Sequence, residues 1–172
     1  CTGRATKKIS QYQDLDKAYE ARIRLGATTP SFDLETEIDE TFPWEHITEE
    51  MIHETLQIFT GPQEQLPPRF SAKRVEGKRA YDLARKGKEV ELKPQSITIS
   101  RLDLLAFNPP DLSLQVECSK GTYIRSLARD VGLHLESGAH LTGLRRTRIG
   151  PYSMNNAISL ENFVENLKLL DH

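Results

Sequence analysis

The sequence contains little of what several protein classes require. It has only two cysteines, Cys1 and Cys118, in 172 residues. Two are too few for a disulfide framework, and their spacing fits no metal site. Cys118 falls on the apolar phase of a predicted strand, and a buried thiol favours a reducing, cytosolic compartment. The sequence has no run of about 18 apolar residues, so we expect no contact with a membrane interior.

Motifs of the common catalytic and nucleotide-binding classes are also missing. There is no G-x-x-x-x-G-K-[ST], G-x-G-x-x-G or G-x-S-x-G pattern. The five histidines form no H-E-x-x-H pair and no Cys/His cluster, so we expect no metal. The acidic residues of 31–54 lack the apolar neighbours that raise a carboxyl pKa, which favours an exposed acidic face over a catalytic carboxylate pair.

The net charge of −2 hides a segregation of charge along the chain. Residues 31–54 hold nine acids and no lysine or arginine, residues 69–88 hold eight bases, and residues 120–148 hold six. The two basic blocks form one phosphate-binding face if the fold brings them together. Otherwise they are solvated faces with local ion pairs.

Hydrophobic periodicity predicts an irregular mixture of strands and helices. This order favours a single α+β domain over residues 1–172, with a mixed, mostly antiparallel sheet flanked by helices. The main predicted elements are strand Lys17–Leu25, helix Thr48–Phe59, a proline-rich loop Gly61–Pro68, a hairpin of Ile97–Leu105 with Leu112–Cys118, helix Thr122–Leu135, and a strand over 140–149 that bends at Gly143.

The joint at Ser119–Arg129 is the most informative segment. An alternating strand precedes it, and a helix follows that we expect Thr122 to cap. Arg125 then lies in the first helical turn, where the macrodipole disfavours a cation. A base in this place indicates a partner anion; the alternative is a surface arginine bound to water.

Aromatic and basic side chains are the best candidates for a site. Tyr19 lies on the apolar phase of its strand, Tyr123 lies at the strand–helix joint, and Arg145 and Arg146 follow the Gly143 bend. Aromatic faces with guanidinium groups suit stacking on a base and holding phosphates. For each tyrosine alone, a core role is the alternative.

At these residues the chain resembles the TruB-type tRNA pseudouridine synthases over essentially its whole length. Each matching motif is modest alone, but the ordered set is specific. The matching pieces are Thr2-Gly-Arg-Ala-Thr-Lys7, Lys17-Ala-Tyr19, Arg24-Leu-Gly26, Phe59-Thr-Gly61, Gln65-Leu-Pro-Pro68, Phe70-Ser-Ala-Lys73, Gly77, Tyr81–Gly87, Ser119–Arg129, Gly138-Ala-His-Leu141 and Leu144-Arg-Arg146.

The resemblance implies that a T-loop uridine of tRNA, at position 55, is flipped out and isomerised by an aspartate nucleophile without cofactor or metal. It implies that Tyr19 stacks on the base and takes part in catalysis. Arg125 would pair with the nucleophile, and Tyr123 and Leu144 would line the uracil pocket. Candidates for the RNA backbone are Lys73, Arg74, Lys120, Arg145 and Arg146. No obligatory protein partner is evident.

The sequence departs from the family pattern in the catalytic motif. The family's aspartate lies in G-T-L-D-P-x-A-T-G, which this chain does not contain, and Asp14 and Asp16 match other family positions. We therefore expect a fragment of the catalytic domain whose nucleophile lies upstream, inactive as it stands. No C-terminal RNA-binding module is evident, so we do not expect this chain to bind tRNA tightly by itself.

Two alternatives follow from the same residues. One is a non-catalytic RNA-binding homologue that has lost the aspartate. The other is a relative of the guide-dependent pseudouridine synthases, which act inside a ribonucleoprotein. The residues immediately before Cys1 would separate the enzyme from the first alternative.

Overall fold

The computed structural model describes residues 3–68, 70, 74–75, 78–79 and 92–170, with the backbone alone at 74–75, 78–79 and 168–170. A 3-10 segment, Gly3–Lys8, leads into the first helix. The other elements are α1 (Ile9–Gln13), β1 (Lys17–Leu25), β2 (Ala27–Thr28), β3 (Glu40–Thr41), α2 (Glu49–Ile58), β4 (Gly61–Gln65), β5 (Arg74–Val75), β6 (Lys78–Arg79), β7 (Gln95–Asn108), β8 (Asp111–Cys118), α3 (Ile124–His134), β9 (Ala139–Ile149), β10 (Tyr152–Ser153) and α4 (Leu160–Leu170).

A six-stranded sheet in the order β10-β9-β1-β8-β7-β4 organises the chain. Every pair in it is antiparallel, so the α+β class is confirmed, and the described strands contain no parallel pair. β2 with β3 and β5 with β6 form two separate hairpins. The bend expected near Gly143 is a register shift of β9 against β1, between Arg22 and Ile23.

The core lies on one face of this sheet because the strands alternate. In β8 every second residue from Leu112 to Cys118 is buried, and in β1 Ala21, Ile23 and Leu25 are buried on the same phase. Helices α2 and α3 add Ile52, Leu127 and other apolar side chains to the same cluster. The opposite face carries charged side chains such as Arg24, which pairs with Asp111 at 2.7 Å.

The segment Gly61–Pro68 is not a loop throughout, as the prolines had suggested. Gly61–Gln65 pairs with β7 from Ile99 to Gln95. The strand lies at the edge of the sheet, where Pro62, which has no N–H to donate, is tolerated. This position places Gln65, at the end of β4, near the start of α3.

The prediction that Thr122 caps α3 is wrong. Tyr123 is the N-cap residue, and its side chain makes no capping hydrogen bond. The Thr122 hydroxyl instead donates a hydrogen bond to the Ser119 carbonyl at 3.0 Å. By contrast, helix α2 begins as expected, with Thr48 accepting a hydrogen bond from Met51 N at 3.2 Å.

Helix α3 and strand β9 approach each other closely at Gly132. A Cβ atom added to Gly132 would lie 2.5 Å from Ala139 Cβ and 2.6 Å from Ala139 N. Both atoms belong to a buried strand whose backbone is held in the sheet, so neither can move away easily. The glycine therefore sets the distance between the helix and the sheet.

We expect Gly132→Ala to lower the free energy of unfolding by about 1–3 kcal/mol, because overpacking against backbone outweighs the better helix propensity of alanine. Gly143→Ala is the matched control, since its added Cβ would meet Arg22 at an ordinary 3.5 Å. Chemical denaturation of both variants measures the difference. Equal stabilities would contradict this account of the α3–β9 contact.

Candidate active site

Arg125 has the partner anion that its position in the helix indicated, and the partner is Asp33. Arg125 Nη1 donates to Asp33 Oδ2 at 3.1 Å and to the Ser31 carbonyl at 3.3 Å, and Nη2 donates to the Phe70 carbonyl at 2.8 Å. The two charged side chains are 22% and 24% exposed. A charge this far removed from water is stabilised by such fixed partners, so Arg125 is not a free surface arginine.

Asp33 belongs to the acidic stretch that we expected to be an exposed face, and for this residue that expectation is wrong. Its second carboxylate oxygen, Oδ1, accepts from Ser31 Oγ at 2.6 Å and from the backbone N–H of Glu35 at 2.9 Å. Thr29 Oγ1 donates to the Asp33 carbonyl at 2.7 Å. The sequence did contain a sign of this turn, because the short hydroxyl side chains of Thr29 and Ser31 precede Asp33.

A groove of about 360 Å³ opens beside this ion pair. Leu144, 48% exposed, forms part of its apolar wall. The structure thus brings together two predicted site residues, Arg125 and Leu144, and adds Asp33. The lining consists of Asp33, Leu34, Glu35, Arg125, Leu141, Thr142, Gly143 and Leu144.

Tyr19 lies farther along the same sheet face but does not line this groove. It is paired with Arg146, and two residues on, Ala21 is paired with Leu144. The spacing along a strand puts these pairs about 7 Å apart. Burial, together with the Cys118 thiol, raises the pKa of Tyr19, and a hydrogen bond with Arg146 opposes the shift. A neutral phenol is thus kept next to a cation.

Tyr123 is fixed through its backbone by a residue to which the sequence assigned no role. Gln65 is 2% exposed. Its Oε1 accepts from Tyr123 N at 2.8 Å, and its Nε2 donates to the Tyr123 carbonyl at 3.1 Å. This pair of bonds fixes the backbone at the residue where α3 begins. Gln65 lay within a family motif, but no pattern in the sequence places it against Tyr123.

The candidates for the RNA backbone do not share one face. Arg145 and Arg146 are consecutive in β9, so they point to opposite sides of the sheet. Arg146 lies beside Tyr19, whereas Arg145 Nε is 3.2 Å from Met154 Sδ. Lys120 is paired with Asp14 at 2.6 Å. Lys73 and the Arg74 side chain lie outside the described residues.

Two findings bear on other classes of site. Within the described ranges, no group of three or more His, Cys, Asp or Glu side chains converges as a metal site would require. Among the helices described, none has the length and apolarity needed to cross a membrane.

A half-buried arginine beside an apolar groove, with a neutral tyrosine on the same sheet face, suits an uncharged ring attached to an anionic chain. The chain belongs to the TruB family. Residues 1–124 match the N-terminal domain of the TruB family pseudouridylate synthases, and residues 125–172 match the tRNA pseudouridylate synthase B C-terminal domain. The boundary between the two matches falls inside α3, and the single domain stays a prediction.

The relatives agree with this assignment. A tRNA pseudouridine synthase B of Phocaeicola vulgatus is 58% identical over 96% of this chain, which spans 70% of that relative. One from Bacteroides fragilis is 56% identical over 96% of the chain and 71% of its own length. Among solved structures, a Cbf5-Nop10-Gar1 complex matches with a TM-score of 0.65 and 26% identity, covering 92% of this chain and 38% of that one.

We expect Gln65→Leu to lower the free energy of unfolding by about 1–3 kcal/mol, because it leaves the partly buried Tyr123 N–H without its partner. Gln63→Leu is the control on the same strand; it removes a bond to the Phe59 carbonyl and leaves no donor without a partner. Denaturation curves of both variants give the comparison. An equal loss in both would show that Gln65 does not hold Tyr123.

Proposed function

We propose that the complete protein converts a T-loop uridine of tRNA, at position 55, to pseudouridine. The observation that carries the proposal is the Arg125–Asp33 pair beside a groove with Leu144 in its wall. Such a groove offers an apolar surface for a flipped base and a cation where the reaction needs a fixed charge. The family membership and the relatives named tRNA pseudouridine synthase B support the choice of substrate.

In this proposal an aspartate of the G-T-L-D-P motif, upstream of Cys1, is the nucleophile. The bond between the sugar C1′ and uracil N1 breaks, and a bond between C1′ and uracil C5 forms. C5 loses a proton and N1 gains one, so the product is an isomer of the uridine. Arg125 would hold the carboxylate of the nucleophile ionised and oriented. Asp33 keeps the Arg125 guanidinium in place before it pairs with the nucleophile. Tyr19 would stack on the uracil, and Tyr123 and Leu144 would enclose it.

The RNA backbone would approach along the Tyr19 side of the sheet. Arg146 lies on that side, and Lys120 follows β8 at the same end of β1. Lys120 is paired with Asp14 in an exposed ion pair, which a phosphate can replace at little cost. The Arg145 side chain is on the other side and is the weakest of the candidates.

A guide-dependent function is the second candidate, because the Cbf5-Nop10-Gar1 complex has a similar fold. Its identity of 26% is less than half the 58% found for the tRNA pseudouridine synthase B of Phocaeicola vulgatus. The greater identity favours tRNA as substrate without a guide.

We expect the complete protein to form pseudouridine in a T-stem-loop RNA, without guide RNA, cofactor or metal. Because isomerisation leaves the mass unchanged, nucleoside chromatography measures the product. An RNA with cytidine at the target position is the control. Binding without product would favour the non-catalytic homologue, and product only with a guide would favour the second candidate. Robust product from the 172-residue chain alone would contradict the upstream nucleophile.

We expect Arg125→Met in the complete protein to lower kcat by about 100-fold or more while changing the RNA Kd by about threefold or less, because the side chain acts on developing charge. Arg24→Met is the control, since its ion pair with Asp111 lies on the opposite sheet face; its kcat should equal that of the wild type. Steady-state kinetics at saturating RNA and filter binding measure the two quantities. Equal losses in both for Arg125→Met would reduce its role to a phosphate contact.

A further inference from the structure

The loop that carries Asp33 contains a strained residue, Phe32. Its φ is 63°, in the left-handed region, and Glu136 is the other non-glycine residue of the described chain with a positive φ. A phenylalanine there is disfavoured by its Cβ and persists where surrounding contacts hold it. The contacts of Phe32 therefore show what keeps its backbone in this conformation.

The backbone of Phe32 is fixed on both sides of the residue. Phe32 N donates to the Thr29 carbonyl at 3.0 Å, and the Phe32 carbonyl accepts from Leu141 N at 2.9 Å. The second bond ties the loop to β9 at a residue that also lines the groove. Neither bond depends on the phenyl ring, so the backbone bonds alone do not explain why a bulky residue stands here.

The ring of Phe32 lies under the guanidinium of Arg129, with 4.8 Å from Arg129 Cζ to the ring centroid. Arg129 Nε donates to Asp130 Oδ1 at 2.7 Å, and its side chain is 16% exposed. A cation–π contact gains strength when it is shielded from water. The carboxylate of Asp130 keeps the guanidinium over the ring.

Arg125 and Arg129 are four residues apart, so they lie on one face of α3. Arg125 binds Asp33, and Arg129 binds the residue before it. Two arginines, one helical turn apart, therefore hold two consecutive residues of the loop. If φ of Phe32 relaxed, the chain direction would change at Asp33, and its carboxylate would leave the guanidinium of Arg125.

We propose that Phe32 and Arg129 are positioning residues, which hold Asp33 and through it the guanidinium of Arg125 at the groove. They act without contacting the substrate. The inference rests on the proposed function for its kinetic consequences, but the coupling of the two contacts is a property of the folded protein alone.

The test uses the complete protein, with pseudouridine formation in the T-stem-loop RNA. We expect Phe32→Leu, which keeps the backbone strain and an apolar side chain but removes the aromatic face, to lower kcat about tenfold. KM should stay within about twofold, because the RNA contacts are unchanged. Phe32→Tyr keeps the face and should retain wild-type kcat within about twofold.

Arg129→Met also removes the ion pair with Asp130 and the hydrogen bond to the Leu66 carbonyl, so it should lower kcat at least as much as Phe32→Leu. The double variant should be no slower than Arg129→Met, because the contact with Phe32 is already lost in that variant. Phe32→Gly relieves the strain and removes the ring; it should be as slow as Phe32→Leu. Wild-type kcat in Phe32→Leu or Phe32→Gly would overturn the proposal, as would losses that multiply in the double variant.

Glu136→Gly is the matched control. It relieves the same kind of backbone strain, at φ 52°, beyond the C-terminal end of α3, and its kcat should equal that of the wild type. Circular dichroism and thermal unfolding of each variant show that the comparison is made between folded proteins.

A second measurement keeps the inference separate from the proposed function. If the wild type forms no pseudouridine, the function fails and the inference is decided by unfolding. Arg129→Met and Asp33→Asn are combined in a double-mutant cycle of unfolding free energies. Non-additive losses support coupling between the two contacts. Additive losses overturn the inference, whether or not the protein is active.

Discussion

The guanidinium of Arg125 is the group whose contacts the site depends on. It joins three parts of the chain that are distant in sequence: the start of α3, the loop at Ser31 and Asp33, and the Phe70 carbonyl after β4. A half-buried cation is costly unless its donors are occupied. The Ser31–Asp33 loop and the Phe70 carbonyl both supply acceptors to Arg125. The groove forms between that loop, Arg125 and β9.

The sheet determines which other side chains can reach this cation. Strand β1 lies between β8 and β9, and its register with β9 pairs Ala21 with Leu144 and Tyr19 with Arg146. Along β9 the side chains pass from buried at Ala139 to exposed at Leu144. The candidate base-binding surface is the part of the inner sheet face around Leu144 and Tyr19, which the apolar core does not cover.

Coupling within this site runs through hydrogen bonds rather than through apolar packing alone. Gln65 holds the backbone of Tyr123, and Ser126 Oγ donates to the Leu66 carbonyl at 2.8 Å. Directional bonds of this kind specify position more closely than apolar contacts do. The first turns of α3 thus fix both the residues that would enclose a uracil and the chain that leads to Phe70.

Local sequence patterns were sufficient for the elements whose burial has a period. Strand Lys17–Leu25, helix α2 and strand β8 follow from side-chain alternation or helical spacing, which are local properties. The alternation also separated Tyr19 from its charged neighbours, and the family motifs singled out Arg125 and Leu144.

The partners of these residues, by contrast, are set by the folded chain. Asp33 stands 92 residues from Arg125, and Gln65 stands 58 from Tyr123. Their contacts depend on how distant segments pack, and no local pattern encodes that. For the same reason, an arginine at a helix start indicated an anion, and only the folded chain shows that the anion is Asp33.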